Sequence, residues 1–352
     1  MTELLTYLQQ AADRGASDLF LVAGGPASVK LDGQLVPLEE ERLMPADTRR
    51  LINELYQMAN RSVEGFTVCG DDDFSFAVPG LSRFRVSIYR QRGSMAAVIR
   101  VVAFSIPDYQ ALSIPEAVMD LSQLKSGMVL VTGTAGSGKS TTLACIVDRI
   151  NHTRDLHVIT LEDPIEYLHR NDHCIISQRE IITDAGDYLS ALRSCLRQAP
   201  DVIQLGEMRD RDTISTAITA AETGHFLLAT LHTKGAVNAV DRILDAFPSE
   251  QQKQVRFQLA MVLHTVVSQQ LLPSTTGGVV PAFEILRMNE ATRNLIRESK
   301  VHQLDSAMAA GGAEGMLTMD QSILRLYQAG KITQEVALSY AENPEQLKRK
   351  LS

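Results

Sequence analysis

Eight consecutive residues, Gly133-Thr134-Ala135-Gly136-Ser137-Gly138-Lys139-Ser140, fit the spacing G-x-x-x-x-G-K-[ST] without a mismatch. Glycines at these positions let backbone N–H groups close around phosphate oxygens, and a following helix adds the partial positive charge of its N-terminus. In that geometry Lys139 reaches the β- and γ-phosphates of ATP, and the Ser140 hydroxyl ligates Mg²⁺. The stretch from Gly133 through Thr141 is therefore read as a nucleotide-binding loop. An accidental glycine-rich turn would lack the flanks found here. The apolar run Met128–Thr132 precedes the loop, and a helix-forming run from Thr141 to Ile150 follows it.

Three further groups have the chemistry such a loop needs. Glu162-Asp163-Pro164-Ile165-Glu166 follows the apolar run Val158–Leu161. Phosphoryl transfer to water requires a group that orients the water and carboxylates near the metal. Glu166 is the expected base, with Glu162 and Asp163 acting through metal-bound water or as hydrogen-bond acceptors. The same acids also suit a helix that begins at Asp163 with Pro164 at its first position. Next, Val202–Leu205 delivers Glu207 in the manner of a Walker-B strand, with glutamate in place of the usual aspartate. Glu207 is expected to hold Mg²⁺ through water or to polarise the nucleophile; pairing with Arg209 or Arg211 is the structural alternative. Finally, His232 stands at the carboxyl end of the run Phe226–Leu231, where it would sense the γ-phosphate, and Asp241-Arg242 follows one helix later. His225, at the other end of that run, reads as structural.

The elements that must position these residues form two patterns. Up to about residue 110 the chain reads as α+β. Helices are expected at 2–15 and Pro45–Met58. Strands are expected at Leu19–Val22, Phe74–Phe76, Phe84–Tyr89 and Ala97–Val102, with a hairpin turning at Asp32-Gly33. Prolines at 107 and 115 mark the boundary. From Gly127 strands alternate with helices, the signature of a mostly parallel sheet, whose ligands sit beyond the carboxyl ends of the strands. After Pro248 the pattern predicts a long helix over 249–271 and shorter helices to the end. The expected division is 1–110, 111–275 and a helical region over 276–352.

The 352 residues carry a net charge of −8, with 45% hydrophobic residues and no tryptophan. That charge disfavours a partner held through phosphate attraction, so no nucleic acid is expected. No apolar run approaches the roughly 20 residues of a membrane span, and the N-terminus lacks the layout of a signal peptide. The cytoplasm is the expected location. Cys69, Cys145, Cys174 and Cys195 form no C-x-x-C pair and are read as reduced thiols.

With these residues in hand, the sequence resembles the secretion-type AAA-like ATPases of type IV pili, and within them the retraction ATPases. The likeness spans nearly the whole chain. It includes Ser17-Asp18-Leu19, Arg83-Phe84-Arg85-Val86, the nucleotide loop, the acids of Leu161–Glu166, Gly206–Asp210 and Thr223–Thr233. Ala291-Thr292-Arg293-Asn294-Leu295-Ile296-Arg297-Glu298 is similar to the A-I-R-N-L-I-R-E element typical of retraction ATPases. The resemblance implies a PAS-like N-terminal domain followed by a RecA-like P-loop ATPase domain with C-terminal helices, an α/β protein overall. It implies a homohexameric ring that hydrolyses Mg-ATP to disassemble the pilus and power twitching. It also implies docking at the inner face of the cytoplasmic membrane on a pilus platform protein, and the company of an accessory retraction ATPase. Lys139, Glu166, Glu207, His232 and Arg242 would carry the chemistry, with arginines among Arg83, Arg85, Arg90, Arg92 and Arg100 completing the site. The division of labour between Glu166 and Glu207 stays open.

Two positions depart from the family pattern. Thr134-Ala135 replaces the usual proline–threonine at tolerated positions. Thr292 stands where isoleucine is usual, and its hydroxyl needs a partner if buried. The short length and the absence of paired C-x-x-C motifs argue against a pilus extension or type II secretion ATPase. Charge and composition argue against a nucleic-acid translocase, and the retained acids against a regulatory protein that does not hydrolyse.

Overall fold

The computed structural model describes residues 3–31, 33–102 and 106–351. Asp32 of the Asp32-Gly33 turn and Thr2 of the first expected helix lie outside them. Packing divides the chain into two units, Met1–Ser105 with Glu166–Leu168, and the remainder from Ile106.

The first unit begins with α1 (Glu3–Asp13), which buries Leu4, Tyr7, Leu8 and Ala11 along one stripe. Strands β1 (Asp18–Leu21), β2 (Pro26–Leu31) and β3 (Gln34–Arg42) come next, then α2 (Pro45–Met58) and α3 (Glu64–Cys69). Strands β4 (Asp71–Val78), β5 (Ser82–Gln91) and β6 (Ser94–Val102) complete a six-stranded sheet of order β3-β2-β1-β6-β5-β4. Its named strand pairs are antiparallel. Along β5, Phe84, Val86 and Ile88 are fully buried while Arg85 and Ser87 are exposed, the period of a sheet covered on one face. α3 has no counterpart in the sequence expectation: it is six residues long and buries only Phe66.

The second unit opens with α4 (Glu116–Met119) and β7 (Gly127–Thr132), followed by α5 (Lys139–Thr153), β8 (His157–Glu162) and β9 (Ile175–Glu180). Then come α6 (Tyr188–Cys195), β10 (Val202–Leu205), α7 (Arg211–Glu222), β11 (Phe226–Leu231), α8 (Ala236–Asp245) and α9 (Ser249–Val262). Strands β12 (Leu263–Pro273) and β13 (Val279–Arg287) finish a seven-stranded sheet of order β13-β12-β7-β11-β10-β8-β9. All its pairings are parallel except that of β13 with β12. Helices cover both faces, so every residue of β10 and β11 is buried and their apolar runs are unbroken.

Three expectations are corrected here. The helix expected over 249–271 ends at Val262, and Leu263–Pro273 is a strand paired with both β7 and β13. The β-branched run Thr265-Val266-Val267 is fully buried between these neighbours, where branched side chains pack well on a pleated surface. β13 likewise lies inside the stretch expected to be helical, and the C-terminal helices start at Glu290. No helix begins at Asp163: the chain runs irregularly from there to β9, so a helix-capping role for Asp163 and Pro164 falls away.

The remaining helices are α10 (Glu290–Arg297), α11 (Leu304–Ala310), α12 (Met319–Gln328), α13 (Gln334–Tyr340) and α14 (Pro344–Leu351). Thr292 is fully buried on α10, and its hydroxyl is matched. It accepts from the Asn289 amide at 2.8 Å while the Asn289 side chain accepts from the Thr292 amide at 2.9 Å. This reciprocal cap satisfies two helix-end donors.

Candidate active site

Adjacent strands β7, β11, β10 and β8 all point their carboxyl ends the same way, with Thr132 beside Leu231 and Leu205 beside Leu161. Whatever follows those strands is thereby gathered along one edge. The nucleotide loop follows β7, His232 follows β11, Glu207 follows β10 within two residues, and Glu162 ends β8.

The loop is held by close approach. At Gly133, whose φ is +147°, a Cβ would lie 2.4 Å from Ser137 Oγ and 2.5 Å from the Gln269 carbonyl oxygen, so no side chain fits. Gln269, 3% exposed on β12, also accepts a 2.7 Å hydrogen bond from Thr142 Oγ1 on α5. The loop is thus pinned between the start of α5 and the neighbouring strand. Lys139 is buried at the first position of α5, and its Nζ donates to the carbonyl oxygens of Gly133 and Thr134, both at 2.9 Å. Ser137 Oγ is buried without a hydrogen-bond partner among the described residues. An orphaned hydroxyl beside a side-chain-free cradle at the head of a fifteen-residue helix is what a phosphate-binding loop supplies. Ser140 and Thr141 are half-buried beyond it.

From Lys139 a chain of polar contacts crosses the strand ends. Lys139 Nζ lies 3.4 Å from His232 Nδ1, and His232 Nε2 lies 3.6 Å from Glu207 Oε2. The other oxygen of Glu207 accepts from Arg209 Nε. Glu207 thus makes the expected pairing with Arg209 and faces the loop lysine through one imidazole. The turn carrying it is fixed by Thr230 Oγ1, which donates to the Gly206 carbonyl, and by the Met208 amide, which donates to the Thr230 carbonyl at 3.2 Å. Glu162, 9% exposed, accepts from Thr160 Oγ1 at 2.6 Å and from Gln178 Nε2 at 3.1 Å. Asp163 is exposed. Within the second unit contacts join Lys139, His232 and Glu207, and Glu162 and Asp163 stand at the end of the neighbouring strand β8. Arg242 is exposed on α8, six residues or about 9 Å beyond the first residue of that helix. Glu166 is exposed and groups with the first unit.

A cavity of about 200 Å³ opens beside the loop. It is lined by Leu112, Ile114, Gly138, Thr141, Leu271 and Pro281 among others, and its walls are mainly apolar. A flat, weakly polar ring system fits such a slot while its phosphates lie on the loop.

Several residues that shape the site escaped the sequence reading. Gln178 lies on β9, a strand with no counterpart in the sequence expectation, and Gln269 lies on β12, inside the stretch expected to be helical. Glu284, 1% exposed on β13, accepts from the Ala236 amide at 2.6 Å and so caps α8, the helix just after His232. Burial pushes its carboxyl up to about 7, with Glu342 and Asp305 adding to the effect.

Known proteins resemble this chain along nearly its whole length. The family model described as type II/IV secretion system protein matches residues 2–350. The chain is 42% identical to the type IV pilus retractation ATPase PilT of Pseudomonas aeruginosa, over 98% of this chain and 99% of that one. It is 38% identical to the type IV pilus ATPase PilU of the same organism, over 98% of this chain and 90% of the relative. A crystal structure described as the pilus retraction motor PilT with bound ADP superposes with a TM-score of 0.90 at 43% identity, covering 99% of both chains.

Proposed function

The chain belongs to the family of type II/IV secretion system proteins, and from that premise we propose that it is an ATPase motor that powers type IV pilus retraction. The contact chain Lys139–His232–Glu207, set at the strand ends beside a phosphate-binding loop, carries the hydrolytic part of this reading. The 42% identity to PilT along the full length supports the retraction part.

In the reaction a water oxygen attacks the γ-phosphorus and the bond to the β–γ bridging oxygen breaks. ADP leaves with that electron pair, and the water's proton passes to a carboxylate. The backbone amides from Gly136 to Thr141 and Lys139 Nζ hold the phosphates, and Lys139 exchanges its loop carbonyls for phosphate oxygens. Mg²⁺, when bound, neutralises charge on the β- and γ-oxygens; the Ser140 hydroxyl and Glu207, through water, are the groups that would hold it. His232 touches both Lys139 and Glu207, so a change at the γ-phosphate reaches both groups. Glu166 is proposed as the water-orienting base and Arg242 as a further catalytic group. The motor is proposed to work as a homohexamer docked on a membrane platform protein, with arginines of the first unit completing the site and an accessory retraction ATPase beside it. Among the described residues no helix is long and apolar enough to cross a membrane.

A strain that carries only Lys139→Ala, at normal expression, tests the reading. Excess pili without twitching are expected. Bald cells would show that the motor builds pili, and cells that twitch normally would remove it from the machine. Glu166→Gln and Glu207→Gln, assayed side by side, separate the two carboxylates. The base loses about 10²-fold or more in kcat at retained nucleotide affinity, whereas the metal partner also loses Mg²⁺ dependence.

A further inference from the structure

The turn from His232 to Gly235 joins β11 to α8, and its far end has no cap of its own. Gly235 is the N-cap of α8, so no side chain there can accept from the amides that open the helix. Its φ is +80° and its ψ 150°, a conformation open essentially to glycine alone. A Cβ would meet nothing nearer than 3.6 Å, so backbone conformation and not space demands the glycine. Side chains of the sheet supply the missing acceptors. Ser268 Oγ on β12 accepts from the Gly235 amide at 3.1 Å, and Glu284 Oε1 on β13 accepts from the Ala236 amide at 2.6 Å. Both residues are 1% exposed, and they stand opposite each other in the β12–β13 register. On its other side Ser268 stands opposite Thr132, the residue that precedes the phosphate loop. The near end of the turn is held where Leu231 pairs with Thr132. Between these two anchors the His232 side chain is 48% exposed. Backbone anchoring and the contacts to Lys139 and Glu207 therefore place it, not burial.

We propose that Glu284, with Ser268 beside it, is a positioning residue for hydrolysis: by fixing the first amides of α8 it sets the turn that holds His232 between Lys139 and Glu207. The inference rests on the ATPase reading above. Glu284 serves here as an acceptor and not as a charge, because Oε1 accepts whether or not the carboxyl carries its proton. A buried amide left without an acceptor is costly. Without Glu284 the start of α8 would shift to reach water and take His232 with it. Neither Glu284 nor Ser268 touches the reacting atoms, and neither exchanges a proton with them.

Glu284→Leu removes the acceptor at similar volume, and Glu284→Gln keeps it. In steady-state ATP hydrolysis by the full chain, Glu284→Leu should lower kcat about tenfold with KM within about twofold. Glu284→Gln should stay within about twofold of the parent in kcat, and Ser268→Ala should lose about threefold. The decisive comparison is made in a His232→Ala background, where the turn no longer carries the imidazole. There Glu284→Leu should cost less than about a further twofold, read at single turnover so that slow rates can be measured. A further tenfold loss in that background would overturn the proposal and assign Glu284 to general stability. So would a Glu284→Gln variant as impaired as Glu284→Leu. Amide hydrogen exchange reads the anchor without hydrolysis. The Gly235 and Ala236 amides should exchange at least about tenfold faster in Glu284→Leu and at the parent's rate in Glu284→Gln. Unchanged exchange in Glu284→Leu would also overturn the proposal. Where Glu284→Leu does not fold, Ser268→Ala takes its place in the same cycle and the same exchange measurement. A parent chain that hydrolyses no ATP yet shows this exchange pattern would sink the ATPase reading and leave the anchor standing.

Discussion

Strand β5 of the first unit alternates buried Phe84, Val86 and Ile88 with exposed Arg85 and Ser87, whereas β10 and β11 of the second unit bury every residue they contain. The first sheet keeps one face for side chains of any polarity. β10 and β11 at the centre of the second sheet have no such face, and they present reactive groups only where they stop. Function in a two-sided sheet is therefore concentrated at strand ends, and each end delivers one or two residues: Lys139 after β7, His232 after β11, Glu207 after β10. In a one-sided sheet chemistry is spread along the strand, and each exposed position is worth less.

This contrast can be broken by substitution. The largest effect is expected at a strand end of the second unit: Lys139→Ala should lower ATP hydrolysis by at least about a hundredfold, since in the proposed reaction it removes the charge that would meet the γ-phosphate. An ATPase assay on the purified chain checks it. A packing position of the first sheet should come next. Ile88→Ala deletes a fully buried side chain and should cost about 2–5 kcal/mol in denaturant unfolding of that unit.

Glu284 sharpens the comparison from inside the second sheet, as an ionisable group in the middle of a buried strand. Its folded pKa of about 7 lies above the ordinary value of 4.5, so the folded state holds the proton more tightly than the unfolded state. The stability this gives is complete below pH 4.5 and is lost as pH rises through about 7, a change of up to about 3 kcal/mol. Glu284→Gln keeps the acceptor for the Ala236 amide and removes the titration. Its Tm should therefore gain on the parent's between pH 5 and 8, and parallel Tm curves would refute the assignment. The smallest effect belongs to the open face of the first sheet, where Arg85→Ala should change stability by no more than about 0.5 kcal/mol.

The strand-end residues were legible in the sequence because buried parallel strands write themselves as short apolar runs, and the residue after each run is the one at the edge. The loop was legible for the same reason, with its glycines at fixed spacing. β12 was not. Helix α9 passes into it at Val262–Leu263 with neither glycine nor proline between them, so the apolar pattern continues without punctuation. α3 was hidden by its brevity. Gln269 acts through a contact made only after folding: Thr142 and Gln269 are 127 residues apart. Local spacing holds no trace of such a pair. Glu166 was named from its place after an apolar run and Arg242 from the family pattern, and the geometry of the second unit alone assigns them no role.

The strand order carries a consequence for synthesis. β7, made first among the seven strands, is flanked by β11 and by β12, which are made among the last. A nascent chain that has emerged only as far as α7 has its phosphate loop but neither of the strands that flank it. Gln269, which pins the loop from β12, arrives later still. Contacts so distant in sequence close slowly and late. The ribosome must therefore release most of the chain before a nucleotide can be gripped, and a truncated product ending before Leu263 is expected to remain unable to engage ATP.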